Sequence, residues 1–65
     1  MRFIELHYGN GESLYVNPQK VDVIADRTTK DGKKISCIYI NGNDCPHMCI
    51  ESAEEVVQMI NRIGR

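Results

Sequence analysis

The residues in this sequence best suited to chemistry are Cys45, His47 and Cys49, which fall within five consecutive positions. Thiolates and imidazole are preferred zinc ligands, and a pair of cysteines can also carry redox chemistry. Strong zinc motifs contain two closely spaced ligand pairs, each bent around one ion. Because this segment supplies one such pair, a metal or thiol site and the packing of a strand are both open interpretations.

The spacing of the two cysteines favours packing if the segment is a strand. At about 3.3 Å per residue, the Cα atoms of Cys45 and Cys49 lie about 13 Å apart. That is too far for two thiolates that must each lie about 2.3 Å from one zinc ion, and a disulfide needs Cα atoms within about 7 Å. We therefore predict small buried hydrophobes and no cofactor. A zinc- or thiol-dependent regulator using Cys45, His47 and Cys49 is the alternative.

Length and composition predict one small domain spanning residues 1–65. A core of this size is marginal, and such domains commonly need a staple, a metal or a partner. The net charge of −1 provides no field that would hold the molecule on nucleic acid or anionic lipid. Residues 1–10 do not have the pattern of a signal peptide, no stretch of about 18 apolar residues is present in the sequence, and the number of cysteines is odd. We expect a cytoplasmic protein with reduced thiols and no membrane association.

Apolar alternation predicts five strands, and turn residues separate them. The predicted strands cover residues 3–8, 13–17, 21–26, 35–40 and 45–49. Glycines at 9–11 and the Asn41-Gly42 pair predict hairpin turns. Residues 27–34 are predicted to form a polar loop around an Asp-Gly turn. Val21, Val23 and Ala25 are expected on one face of the third strand.

The end of the chain predicts one amphipathic helix. Ser52 and Glu55 form a capping box, in which hydroxyl and carboxylate satisfy backbone amides reciprocally. Apolar residues recur every three or four positions after it, and Gly64 is placed to cap the C-terminus. The predicted fold class is α+β: a small antiparallel sheet of about five strands, in the order β-β-β-β-β-α, with the helix packed on one face.

The hairpin of strands four and five is apolar on both faces. If residues 41–44 close it, Ile38 faces His47, Ser36 faces Cys49, and Cys37 lies beside Met48. One helix covers only one face, and a large exposed apolar patch usually marks a protein contact. The candidate interface residues are Ile35, Cys37, Tyr39, Met48 and Ile50, whereas Ile38, Ile40, Cys45 and Cys49 share the other face.

No catalytic constellation is evident, so we predict that the protein is not an enzyme and has no small-molecule substrate. His7 is expected beside Glu5 on the outward face of the first strand as an ordinary surface imidazole. The segment 27–34 is locally basic, but no aromatic residue is interleaved for base stacking. A small nucleic-acid-binding regulator is therefore a further alternative and not the leading one.

The layout resembles the small flagellar and swarming-motility proteins of the FlbD/SwrD type. The resemblance rests on Val16-Asn17-Pro18, on the strand from Val21 to Ile24, on Asn41-Gly42 and on the segment 51–56. It implies a small bacterial cytoplasmic protein, rich in β-structure, with no enzymatic activity and no cofactor. The basic segment 27–34 and the cysteine-rich fifth strand depart from that family. Look-alikes encoded by prophages and other mobile elements share the same scaffold signals.

Together these observations predict a non-catalytic binding or assembly module. We expect it to form a homo-oligomer or to bind a protein partner through the apolar sheet face. A nucleic-acid partner is not expected.

Overall fold

The computed structural model describes residues 2–63, which form an α+β fold. A 3-10 turn, Pro18–Lys20, connects the second and third strands and is capped by Asn17, whose side chain accepts a hydrogen bond from the N–H of Gln19. The remaining elements are β1 Ile4–His7, β2 Ser13–Val16, β3 Val21–Thr28, β4 Lys34–Ile40, β5 His47–Cys49 and α1 Ala53–Ile63. Gly64, the predicted C-terminal cap, lies outside the described residues.

The strands form two antiparallel sheets, not the single sheet of about five strands that the pattern predicted. One sheet pairs β1 with β2, and the other has the order β3-β4-β5. A single bridge between Tyr8 and Cys49 joins them, with the N–H of Ile50 donating to the carbonyl of His7 at 2.9 Å. Tyr8 follows the end of β1, and its own N–H and carbonyl bond within the hairpin turn, to Glu12 and Gly11.

The N-terminal hairpin confirms the predicted alternation. Ile4 is paired with Val16 and Leu6 with Leu14, so these four side chains share one face. The turn uses Gly11 at a φ of 90°, a conformation that favours glycine, and the N–H of Gly11 donates to the carbonyl of Tyr8. One face of the hairpin is therefore available to a core.

The third strand departs from the prediction in its faces and its length. A β-bulge between Val21 and Val23 reverses the alternation after Val21. Val21 and Ile24 therefore pack against the core, while Val23 points away from it. The strand also runs on to Thr28, so the predicted loop at 27–34 shrinks to a tight turn, in which the N–H of Thr29 donates to the carbonyl of Lys33.

The hairpin of β4 and β5 has the predicted register. Ser36 is paired with Cys49, Cys37 with Met48, and Ile38 with His47. Asn41 and Gly42 adopt φ angles of 50° and 77°, and the N–H of Asn43 donates to the carbonyl of Ile40. Positive φ at both central residues is the geometry that Asn-Gly turns favour.

The helix α1 starts at the predicted capping box. The backbone N–H of Glu55 donates to the hydroxyl of Ser52, and the N–H of Ser52 donates to the carboxylate of Glu55. The helix packs against β3 and β4. It covers the same sheet face as the N-terminal hairpin does, so both elements contribute to one core. The buried members of that core are Ile4, Leu6, Val16, Ile38, Cys49 and Val56.

Ser36 is the polar exception in this interior. Its side chain is completely buried, and its hydroxyl has no hydrogen-bond partner among residues 2–63. We predict that Ser36→Ala raises the free energy of unfolding by about 1 kcal/mol, because the variant no longer buries an unsatisfied hydroxyl. Urea denaturation of both proteins checks this value.

Ser13→Ala is the matched control, because the Ser13 hydroxyl is exposed and donates to Glu5. That variant should be unchanged or slightly less stable. A loss of stability in Ser36→Ala comparable to that of an ordinary core truncation would contradict the prediction.

Candidate binding face

The three-stranded sheet has one face that neither α1 nor the N-terminal hairpin covers. Cross-strand pairs place Ala25 beside Cys37 and Cys37 beside Met48 on this face. We call it the outer face, and its apolar members in the strands are Val23, Ala25, Ile35, Cys37, Tyr39 and Met48. Ile50, which follows β5, lines a pocket together with Ile35 and Met48 and completes the face. Val23 is 51%, Met48 46% and Ile50 52% exposed, so large apolar side chains face solvent together.

Four of the five candidate interface residues are accessible, namely Ile35, Tyr39, Met48 and Ile50. Cys37 lies at the predicted position between Ala25 and Met48, but it is only 2% exposed. It is therefore part of the floor of the face and not a contact residue. Val23 was missed as a member, because the bulge that turns it outward leaves no mark in the apolar pattern.

The outer face ends in a pocket of about 680 Å³ beside the turn that connects β3 and β4. This volume lies within the range of ligand sites, roughly 300–1,000 Å³. Its apolar walls come from Ile35, Met48 and Ile50, and Lys33 and Lys34 also line it. The half-exposed Met48 and Ile50 show that it opens to solvent. We call it the basic pocket.

Neither of these lysines is paired with an acid. Within residues 2–63, no carboxylate oxygen lies within ion-pair distance of Lys33 or Lys34. Arg27 is paired with Ile35 across the strands, so it adds positive charge to the same end of the outer face. This end of the sheet therefore presents apolar side chains next to two lysines without an ion-pair partner in residues 2–63, with Asp31 the acidic residue of the same turn.

The structure separates the cysteine and histidine residues singled out for chemistry. Cys49 is buried in the core, whereas Cys45 is exposed outside β5. His47 lies between them, with Nδ1 2.9 Å from the hydroxyl of Tyr8. Among the described residues, no cluster of three or more His, Cys, Asp or Glu side chains has a metal-binding arrangement.

Burial changes the chemistry of the Cys49 thiol. Removal from water, together with the negative charge of Glu51 and the proximity of Cys37, raises its pKa to about 11. A thiol with this pKa is almost entirely protonated at neutral pH and is a poor nucleophile. Cys49 therefore acts as a small hydrophobe.

We predict that one of the three thiols reacts rapidly with an alkylating reagent in the folded protein. Cys45 is exposed, while Cys37 and Cys49 are buried. Mass spectrometry after brief alkylation should find one label, on Cys45, and three labels after unfolding in urea. Rapid labelling of Cys49 in the native state would contradict this assignment.

A contact that sequence reasoning missed connects the first strand to the start of the helix. The Nδ1–H of His7 donates to Glu51 at 2.7 Å, and the backbone N–H of His7 donates to the same carboxylate at 3.0 Å. His7 Nε2 also lies 3.5 Å from a carboxylate oxygen of Glu5. The expected neighbour Glu5 is present, but His7 is not merely a surface imidazole, because Glu51 is its principal partner.

This contact shifts the pKa of both groups towards their charged forms. The hydrogen bond to Glu51 raises the pKa of His7, against a smaller effect of desolvation. Burial alone would raise the pKa of Glu51, but the hydrogen bonds from the His7 ring and backbone outweigh it and lower that pKa. Both charges therefore contribute to stability when they are present together.

The direction of each shift sets a pH window for this contribution. The His7 contribution is complete below its ordinary pKa of 6.5 and is lost as the pH rises through the higher folded-state value. The Glu51 contribution is complete above its ordinary pKa of 4.5 and is lost as the pH falls through the lower folded-state value. The pair therefore stabilises the fold most between these two ordinary values.

We predict that stability falls as the pH rises above 6.5, and that Glu51→Gln removes most of this His7-linked decline, because Glu51 raises the pKa of His7 more than the Glu5 charge does. The glutamine keeps an oxygen to accept the backbone N–H of His7 but loses the charge. Urea denaturation across a pH series measures the effect. Glu12→Gln, at an exposed position in the first turn, is the control and should retain the parent profile. An unchanged profile in Glu51→Gln would contradict the prediction.

Comparisons with known proteins provide no relative for this site. No family model, curated protein or solved structure matches the chain. In residues 2–63 the one helix is too short to cross a membrane.

Proposed function

We propose that the protein is a small non-catalytic binding or assembly module that acts through its outer face. The observation that carries the proposal is the joint exposure of Val23, Met48 and Ile50 on one sheet face. Monomeric soluble proteins rarely expose large contiguous apolar patches, and such patches usually mark protein contacts. The adaptable side chain of Met48 suits such a contact, because methionine adjusts its shape to a partner.

The size of the chain supports the same proposal. The part of the chain that the structure describes has one helix and one two-stranded hairpin to cover a three-stranded sheet. Both pack on the Ile38 face, and domains of this size gain much of their stability from partners or staples. A partner on the outer face would remove the remaining apolar surface from water.

The resemblance to small motility proteins of the FlbD/SwrD type is consistent with a bacterial, cytoplasmic, non-catalytic role and remains part of the proposal. Two alternative functions, a zinc- or thiol-dependent regulator and a nucleic-acid-binding regulator, predict different experimental results. A zinc- or thiol-dependent regulator would carry stoichiometric zinc that Cys45→Ser removes. A nucleic-acid-binding regulator using the basic turn would bind nucleic acid at low salt and release it as salt is added.

We predict that Met48→Glu abolishes assembly and leaves a folded monomer. A carboxylate on the outer face would have to be buried in any contact, which is unfavourable without a partner charge. Native mass spectrometry of protein purified without chelator reports subunit number and bound metal together. Tyr39→Glu should act in the same way, because Tyr39 lies on the same face.

Val57→Glu is the matched control, because Val57 is an exposed apolar residue on α1 and not on the sheet. It should assemble as the parent protein does. Equal assembly of all three variants and the parent, or a parent that is monomeric with and without other proteins, would contradict the proposal.

A further inference from the structure

The N-terminal hairpin carries a second exposed apolar surface, on the side opposite to the core. Ile4, Leu6 and Val16 point inward, so the alternating residues point outward. Phe3 is 54% and Tyr15 66% exposed, and Glu5 is the residue paired with Tyr15. We call Phe3, Glu5 and Tyr15 the aromatic patch. It combines aromatic side chains with the Glu5 carboxylate, whose Oε2 accepts from the Ser13 hydroxyl and lies 3.5 Å from His7 Nε2, so that Oε1 is the oxygen left to meet a partner.

The basic pocket has the complementary composition. Its walls are apolar through Ile35, Met48 and Ile50, and its two lysines have no acidic partner within the described residues. Its volume of about 680 Å³ is ample for an aromatic side chain together with a neighbouring carboxylate. Charge complementarity across such a contact selects the partner and its orientation.

The geometry points to head-to-tail self-association, in which the aromatic patch of one copy occupies the basic pocket of the next. This inference rests on the proposed function and names its partner as a second copy of the chain. A second copy is favoured because each surface supplies what the other lacks: aromatic rings and a carboxylate on one, an apolar cavity and ammonium groups on the other. Tyrosine and phenylalanine are also typical anchors of protein interfaces.

The two surfaces share no residue, which determines the symmetry of the assembly. A contact between two different surfaces is heterologous, so each copy retains one free patch or one free pocket after the first contact. The assembly then extends until it closes as a ring or continues as a filament. A face-to-face pair about a two-fold axis would instead stop at two copies.

Two variants, each blocked on one surface, test the inference. Phe3→Ser with Tyr15→Ser removes the patch, and Lys33→Glu with Lys34→Glu reverses the charge of the pocket. All four side chains are exposed, so both variants should fold as the parent does. We expect each variant alone to self-associate at least about tenfold more weakly than the parent, measured by sedimentation velocity over a concentration series.

Mixing the two variants gives the decisive result. One retains an intact pocket and the other an intact patch, so an equimolar mixture should form a one-to-one dimer and nothing larger. Lys20→Glu with Arg62→Glu is the control, because it makes the same change of charge at exposed positions outside the pocket. That control should associate as the parent does.

Three results would overturn the inference: a parent that stays monomeric, variants that associate as the parent does, or a mixture that stays monomeric. If Met48→Glu abolishes assembly while the patch variant still assembles, the outer face is an interface whose occupant is not the aromatic patch. In that case the proposed function stands and the head-to-tail arrangement fails. If neither change affects assembly, both fail.

Discussion

The strand β4 is apolar on both faces, and the rest of the structure depends on which of them is covered. Ile38 is completely buried because α1 and the N-terminal hairpin pack on the same side of the sheet. Within residues 2–63 there is no further helix or strand to cover the other side. The exposure of the outer face is thus the consequence of building one adequate core from very few residues.

Local features of this fold are predictable because short segments determine them. The Asn41-Gly42 pair marks where the chain turns after β4, and the apolar alternation on either side of that turn predicts the pairing of Cys37 with Met48. The Ser52–Glu55 capping box likewise fixes where α1 begins. The bulge in β3 is different, since one extra residue reverses the alternation without altering the apolar pattern. The apolar pattern therefore could not predict that Val23 points away from the core.

The features that were not predicted connect distant parts of the chain. His7 and Glu51 are 44 positions apart, and nothing near either residue marks them as partners. The separation into two sheets was not predicted for the same reason. The bridge between the sheets joins Tyr8 to Cys49, which are far apart in the sequence. The His7–Glu51 contact lies beside that bridge, where few backbone hydrogen bonds join the two sheets. A charged side-chain pair therefore reinforces the junction where backbone pairing is sparse.

The cysteine motif shows how the same residues can suggest chemistry in a sequence and packing in a structure. His47 and Cys49 are two positions apart in β5 and so share one side of the strand, whereas Cys45 lies in the bend before it. Cys45 is therefore exposed, His47 is hydrogen-bonded to Tyr8, and Cys49 is buried in the core. A thiol with a pKa of about 11 contributes volume and not nucleophilicity. The features that suit recognition are instead on the surfaces that the core leaves open, which are the outer face and the aromatic patch.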